Sequence, residues 1–235
     1  MKRIIALFAL LALLTVSASA AYIPEDVLTE NRDGRQLVIK TYTLSPQDDP
    51  ADLVQPPFDL DGFHYEHMET VKEDKIIVTG DSAGGNLAAA VTLMLWDRMH
   101  ISPLGAMLIY PVTDRRMITE SMKKYTDTPV WDATLTKMFW KAYLGNQEIK
   151  QIQYASPIEA ESLEHFPNVY MEVAEFDCLR DEGIAFAERL RAEGVFTELY
   201  EVKGACHGFE TVLESRIVEK AMQRRIQWIQ SVLNK

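Results

Sequence analysis

The chain has 235 residues, 47% of them hydrophobic and 25% charged, with a formal net charge of −11 at pH 7. That is an ordinary globular composition with apolar material for one core. The acidic balance argues against nucleic-acid or anionic-membrane partners, because phosphate-rich surfaces would repel it.

At the front, Lys2 and Arg3 precede an apolar run from Ile4 to Val16, followed by Ser17-Ala18-Ser19-Ala20 before Ala21. A basic start, an apolar stretch too short to span a bilayer and an A-x-A site read as a signal peptide over residues 1–20. The expectation is export to a secreted or periplasmic location, with no stable membrane insertion after cleavage. Residues 21–70 are read as a separate front segment. Gln36–Leu44 alternates like a strand, Ser45–Pro57 reads as a loop, and Phe63–Val71 as a second strand pairing with the first as a hairpin. His64 and His67 are three residues apart, which suits neither a strand face nor a helical ligand pair, so no metal site is expected.

Residues 75–79 (Lys-Ile-Ile-Val-Thr) predict a strand that breaks into Gly80-Asp81-Ser82-Ala83-Gly84, and an alanine-rich helix follows over 83–98. A Gly-x-Ser-x-Gly turn between strand and helix is the setting in which a serine becomes a nucleophile. Gly80 and Gly84 are expected to permit the sharp turn and close packing. The N–H of Ala83 would point at a developing oxyanion from the positive end of the helix.

Further along, a strand is predicted at 104–110, and a long segment 112–160 carries a helix near Leu135–Leu144 with Trp131, Phe139, Trp140 and Tyr143. Then come a strand at 168–174, a helix at 182–194, a strand at 197–203 and a helix at 211–233. Strands alternating with amphipathic helices predict an α/β fold, a parallel sheet with helices on both faces. In the last helix, Val212, Ile217, Ala221, Ile226, Ile229 and Leu233 are expected to form the core-facing stripe.

A serine nucleophile needs a base and a carboxylate that orients the base. Of the five histidines, His64 and His67 precede the serine and His100 ends the nucleophile helix. His165 sits at the wrong end of a strand. His207, in Gly-Ala-Cys-His-Gly-Phe after a strand, is the expected base. Asp177 follows the apolar run Val169–Ala174, at the carboxyl end of a strand where the ligands of open α/β sheets collect. Asp181 and Glu182 read instead as first-turn acids complementing a helix dipole. Asp177 could equally be a capping turn residue; its order after Ser82 and before His207 favours the catalytic reading.

Gly80-Asp81-Ser82-Ala83-Gly84-Gly85-Asn86-Leu87, Phe176-Asp177-Cys178-Leu179-Arg180-Asp181-Glu182-Gly183 and His207-Gly208-Phe209 together resemble the hormone-sensitive-lipase-like branch of α/β-hydrolases. Tyr110-Pro111 and Asp127-Thr128-Pro129-Val130-Trp131 add to the likeness. The resemblance runs over about residues 72–235 and gives an expected hydrolase core at 71–235. It implies a serine carboxylesterase acting on small ester substrates, with Ser82 as nucleophile, Asp177 as orienting acid, His207 as base and no cofactor or metal. It also implies that segment 112–160 helps wall the acyl pocket.

The chain departs from that branch in having no His-Gly-Gly tripeptide, the source of further oxyanion donors. Roughly sixty residues lie between the expected cleavage site and Ser82, too few for the usual front strands at about 30 or more residues per βαβ unit. The expectation is a hydrolase fold shortened at its N-terminal side. The strand at 75–79 then becomes a sheet edge that invites homodimerisation. The alternative is an inactive remnant that at most binds a ligand. Cys178 and Cys206 adjoin the expected acid and base, and a disulfide between them requires Cα atoms within about 7 Å.

Overall fold

The computed structural model describes residues 76–145, 149–212 and 214–234, together with two short strands near the front, β1 (Val27–Glu30) and β2 (Gln36–Ile39). Contacts divide the chain into two units, Met1–Pro57 and Phe58–Lys235. In the first unit β1 and β2 pair antiparallel, Val27 opposite Ile39. The strand expected at 36–44 is thus present in its first half, with residues 27–30 as its partner. Residues 1–20 and 63–71, expected as signal peptide and second hairpin strand, lie outside the described residues.

In the second unit, four runs rich in β-branched and apolar residues form one parallel sheet. β3 (Ile77–Asp81), β4 (Gly105–Ile109), β5 (Asn168–Phe176) and β6 (Thr197–Cys206) lie side by side in chain order. Among the described residues β3 stands at one end of this sheet. Helices α1 (Ala83–Met99), α2 (Glu120–Lys124), α3 (Ala133–Leu144), α4 (Arg180–Ala192) and α5 (Arg216–Leu233) fill the connections and the C-terminus.

Side chains of successive strand residues leave on opposite faces, so each strand serves two cores. Ala106, Leu108, Val169, Met171 and Val173 pack with Ala88–Ala90, Leu93 and Met94 of α1 and Phe186, Ala187 and Leu190 of α4. Met107, Ile109, Tyr170, Ala174 and Val202 pack with Val218, Ala221, Trp228 and Val232 of α5. Helices therefore cover both faces, which is why the central strands read as near-continuous apolar runs. Truncating a fully buried side chain such as Phe186 in either layer would cost about 3–5 kcal/mol.

The α5 stripe differs from the one expected. Val218, Ala221, Trp228 and Val232 face the sheet, whereas Ile226 and Val212 are exposed. The helix starts later than periodicity alone suggests, because the hydroxyl of Ser215 accepts from the Ile217 N–H and fixes the first turn there. Trp228 sits against Gly105, where a Cβ would lie 2.6 Å from its ring. The long 112–160 segment contains α2 and two 3₁₀ turns that the sequence did not suggest, Ile152–Tyr154 and Pro157–Glu159.

Candidate active site

Ser82 lies between β3 and α1 with φ 56° and ψ −120°, a conformation that non-glycine residues rarely adopt. Such strain persists only where the surroundings over-determine it. Here the Ser82 N–H donates to the Ile109 carbonyl at 2.9 Å, and the Ser82 carbonyl accepts from the N–H groups of Asn86 and Val112. The buried Asn86 amide donates to the carbonyls of Val112 and Ala155, both at 2.8 Å, tying the helix start to the next connection.

The glycines around the turn do not share the steric work equally. A Cβ on Gly80 would lie 2.1 Å from the Gly84 carbonyl oxygen, and one on Gly85 would lie 2.8 Å from Cβ of Pro111. At Gly84 the nearest neighbour would be 3.9 Å away. The close approach expected of Gly80 and Gly84 is therefore a demand on Gly80 and Gly85, with Gly84 supplying the carbonyl that Gly80 must accommodate. Ala83 is the first residue of α1, so its N–H has no helical carbonyl four residues back to bond.

His207 follows β6, and the end of that strand is irregular. Register runs from Ala174 opposite Val202 to Phe176 opposite Cys206, so β6 uses two more residues than β5 over this stretch. Gly204 takes φ 77° within it, and its N–H donates to the Glu175 carboxylate at 2.8 Å. Bulges beside sites re-aim the residues that follow. This one delivers His207 to the carboxyl end of the sheet.

There the three expected residues meet. His207 Nε2 is 2.8 Å from Ser82 Oγ, and His207 Nδ1 is 2.7 Å from Asp177 Oδ2. Asp177 is fully buried, and its other oxygen accepts from the Leu179 N–H at 2.9 Å. One oxygen thus closes the turn ahead of α4, whose N-cap is Leu179, and the other orients the imidazole; Asp177 does not cap the helix. With Nδ1 protonated toward the carboxylate, Nε2 is left as the acceptor for the serine hydroxyl. The Tyr110 ring lies 4.6 Å from the imidazole and the Trp131 ring 6.0 Å, centroid to centroid, so aromatic rings border the imidazole.

The rival acids have other work. Asp181 accepts from the Ser121 N–H at 2.7 Å and pairs with Arg180. Glu182 is fully buried and accepts from the Thr113 N–H at 2.7 Å and the Asp114 N–H. It lies in the first turn of α4, as expected, but burial rather than the helix dipole dominates its surroundings. Desolvation, reinforced by the nearby Asp114 and Asp177 charges, holds its carboxyl well above the usual range despite those two N–H donors. Its second oxygen has no hydrogen-bond partner among the described residues.

Of the aromatics in 112–160, Trp140 is a core residue packed with Met122, Cys178 and Leu179, and only Trp131 reaches His207. The Trp131 indole N–H donates to the Thr136 hydroxyl at 2.8 Å, which contacts Cys178 Sγ at 3.5 Å and so links the aromatic wall to the acid turn. Cys178 and Cys206 are both free thiols. His165 stacks on Trp96 and His100 ends α1, both away from the relay. Among the described residues no cluster of His, Cys, Asp and Glu could hold a metal ion.

Sequence reasoning missed two charges that border the site. Glu172 interrupts the apolar strand Val-Tyr-Met-Glu-Val-Ala, and Arg225 occupies the sheet-facing stripe of α5 between Ala221 and Trp228. A lone charge in each of two apolar patterns, opposite in sign, was the legible signal.

Comparison with known proteins points to one fold family. The alpha/beta hydrolase fold family matches residues 32–211, a span that begins within the front segment 21–70 and ahead of residue 72, where the resemblance read from the motifs starts. The chain is 30% identical to esterase LipI of Mycobacterium tuberculosis over 171 residues, covering 72% of this chain and 53% of that protein. It is 25% identical to ethyl acetate hydrolase of Pseudomonas putida, covering 85% of this chain and 63% of that one. Among solved structures, a bacterial heroin esterase superposes with a TM-score of 0.72 at 30% identity, covering 86% of this chain and 66% of that chain. The chain spans about half the length of the first curated relatives it matches. With the parallel sheet, the Gly-x-Ser-x-Gly turn and the family match in agreement, the chain belongs to the alpha/beta hydrolase fold family, in its hormone-sensitive-lipase-like branch.

Proposed function

We propose that this chain is a serine carboxylic-ester hydrolase for small esters of short acyl chains. The observation that carries the reading is the unbroken line from Ser82 Oγ through the His207 ring to Asp177, with hydrogen bonds of 2.8 and 2.7 Å. Relatives named as esterases support the same reaction class.

In the first half-reaction Ser82 Oγ attacks the ester carbonyl carbon while its proton passes to His207 Nε2. The carbonyl π electrons move to oxygen, and the N–H of Ala83 is the donor for that oxyanion. Collapse breaks the bond to the alcohol, which leaves with the proton from Nε2. Water, deprotonated by the same nitrogen, then attacks the acyl-serine; collapse releases the acid and returns the proton to Ser82. Asp177 keeps Nδ1 protonated and stabilises the imidazolium in both halves.

This reading expects modest turnover. The sequence has no His-Gly-Gly tripeptide, and losing one oxyanion donor lowers kcat by about 10²–10³. Export and self-association through the β3 edge belong to the same proposal; export rests on residues 1–20, which lie outside the described residues. The deciding experiment is hydrolysis of p-nitrophenyl acetate, butyrate and octanoate by the wild type and Ser82→Ala. The expected result is a rate that falls with acyl length and disappears in the variant. Equal rates for the two proteins would favour the inactive-remnant reading.

A further inference from the structure

Beside the relay lies a buried polar cluster that the reaction above does not use. Arg225 of α5 donates through Nη2 to Glu172 Oε1 at 2.5 Å, through Nε to Glu172 Oε2 at 3.3 Å, and through Nη2 to Glu210 Oε1. Each carboxylate takes a second donor from a phenol. The Tyr170 hydroxyl donates to Glu172 Oε2 and the Tyr110 hydroxyl to Glu210 Oε2, both at 2.8 Å. The Tyr110 N–H also donates to the Glu172 carbonyl at 2.6 Å. Glu172 has no exposed side-chain surface, and the Arg225 side chain is only 13% exposed.

Stability alone does not account for this arrangement. Two carboxylates and one guanidinium carry a net negative charge where the rest of the α5 stripe is apolar. Buried ion pairs contribute about as little as, or less than, the apolar packing that could replace them. What the cluster does uniquely is geometric. Glu210 is three residues beyond His207, on the 3₁₀ turn Phe209–Thr211, and Tyr110 carries the ring that flanks the imidazole at 4.6 Å. One guanidinium therefore joins the turn after the base, the residue after β4, strand β5 and helix α5. Arg225 itself lies beyond residues 32–211, the span that matches the family.

We propose that Arg225 and Glu210 are positioning residues for His207, fixing the turn that carries the imidazole and the Tyr110 ring against which it rests. The inference deepens the esterase reading and rests on it for its kinetic test. Glu210→Ala leaves Arg225 paired with Glu172, so the buried guanidinium keeps a counter-ion while the turn loses its clasp. Arg225→Met removes the clasp from the other side. Arg224→Gln, one residue away on the exposed face of the same helix, is the control.

Competent sites are counted by stoichiometric phosphonylation with a fluorophosphonate, and kcat for p-nitrophenyl acetate is expressed per titrated site. Glu210→Ala and Arg225→Met should each lower kcat per site by about tenfold with KM within about twofold, since small misplacement of a reacting group is costly. Their combination should be no worse than the poorer single variant, because both act through one contact. Glu210→Gln, whose amide oxygen still accepts from Arg225 while its amide N–H can donate to the Tyr110 hydroxyl oxygen, should recover most of the loss. A fall in titratable sites with kcat per site unchanged would mean a structural role only and would overturn the proposal. If Arg225→Met does not fold, Glu210→Ala and Glu210→Gln decide.

A second measurement does not need turnover. The His207 Nδ1 proton, donated to Asp177, should give a downfield proton resonance in the wild type and Arg224→Gln, and exchange should erase it in Glu210→Ala. Retention of that resonance in Glu210→Ala, or its absence from the wild type, would overturn the proposal. A wild type that neither labels nor turns over would sink the esterase reading, and this resonance alone would then decide the positioning role.

Discussion

Ser82 and His207 are separated by 125 positions in the chain, yet their Oγ and Nε2 atoms lie 2.8 Å apart. Neither residue reaches that contact by local preference. Ser82 is held at φ 56° by backbone hydrogen bonds from two neighbouring segments, and His207 is advanced by two extra residues in β6. The parallel sheet brings both to its carboxyl edge.

Asp177→Asn should fold normally and still lose most activity. The amide can keep the Leu179 contact but presents a donor where His207 Nδ1–H needs an acceptor, which favours the wrong tautomer. A fall in kcat of about 10³–10⁴ is expected with KM little changed. Circular dichroism and steady-state kinetics on the same preparation check both halves.

Gly80→Ala should be strongly destabilising and Gly84→Ala should not. The first puts a methyl 2.1 Å from a backbone oxygen, and the second finds only ordinary van der Waals contact. The cost at Gly80 is expected to be about 3 kcal/mol, against a change of about 1 kcal/mol or less at Gly84. Urea midpoints for the two variants provide the comparison.

Glu182 predicts a pH dependence of stability with a defined sign. Burial holds its folded-state carboxyl well above the ordinary glutamate value of 4.5, so the folded chain keeps a proton that the unfolded chain releases. Its contribution is fully present below pH 4.5, declines above it, and is lost as pH passes the raised value. Glu182→Gln retains an acceptor for the Thr113 N–H and has no proton to lose. The stability difference between wild type and variant should therefore shift against the wild type as pH rises from 4 to 8, read from urea midpoints. A constant difference would remove Glu182 from this role.

Both cysteines should be thiols, and slow ones. Burial and the Asp177 charge push the Cys178 thiol up, and burial does the same for Cys206, so little thiolate is available. Native protein should react slowly with an aromatic disulfide reagent, and unfolded protein should release two equivalents at once. Equal rates in the two states would contradict the burial argument.

Much of the site was legible in the chain because nucleophile, acid and base each follow a strand pattern, and their order restricts the pairing. Strands β4 and β5 were also readable, since residues buried on both faces leave near-continuous apolar patterns, and β6 was readable from its alternation. The features that escaped depend on contacts distant in sequence. Which glycine is sterically required turns on Pro111 and the Gly84 carbonyl. The β6 bulge is visible only against β5. The α5 stripe was misplaced because Arg225, a charge on the core face, broke the apolar periodicity that was being counted. Glu182 read as a first-turn acid for the helix dipole, because its burial depends on Thr113 and Asp114, far away in the chain.

The most direct test of the central claim is covalent. Diethyl p-nitrophenyl phosphate should add one diethylphosphoryl group per chain, located by tandem mass spectrometry on Ser82, with one equivalent of p-nitrophenolate released. His207→Ala and Asp177→Asn should slow that labelling by at least about 10². Labelling at other serines, or an unchanged rate in His207→Ala, would contradict the account.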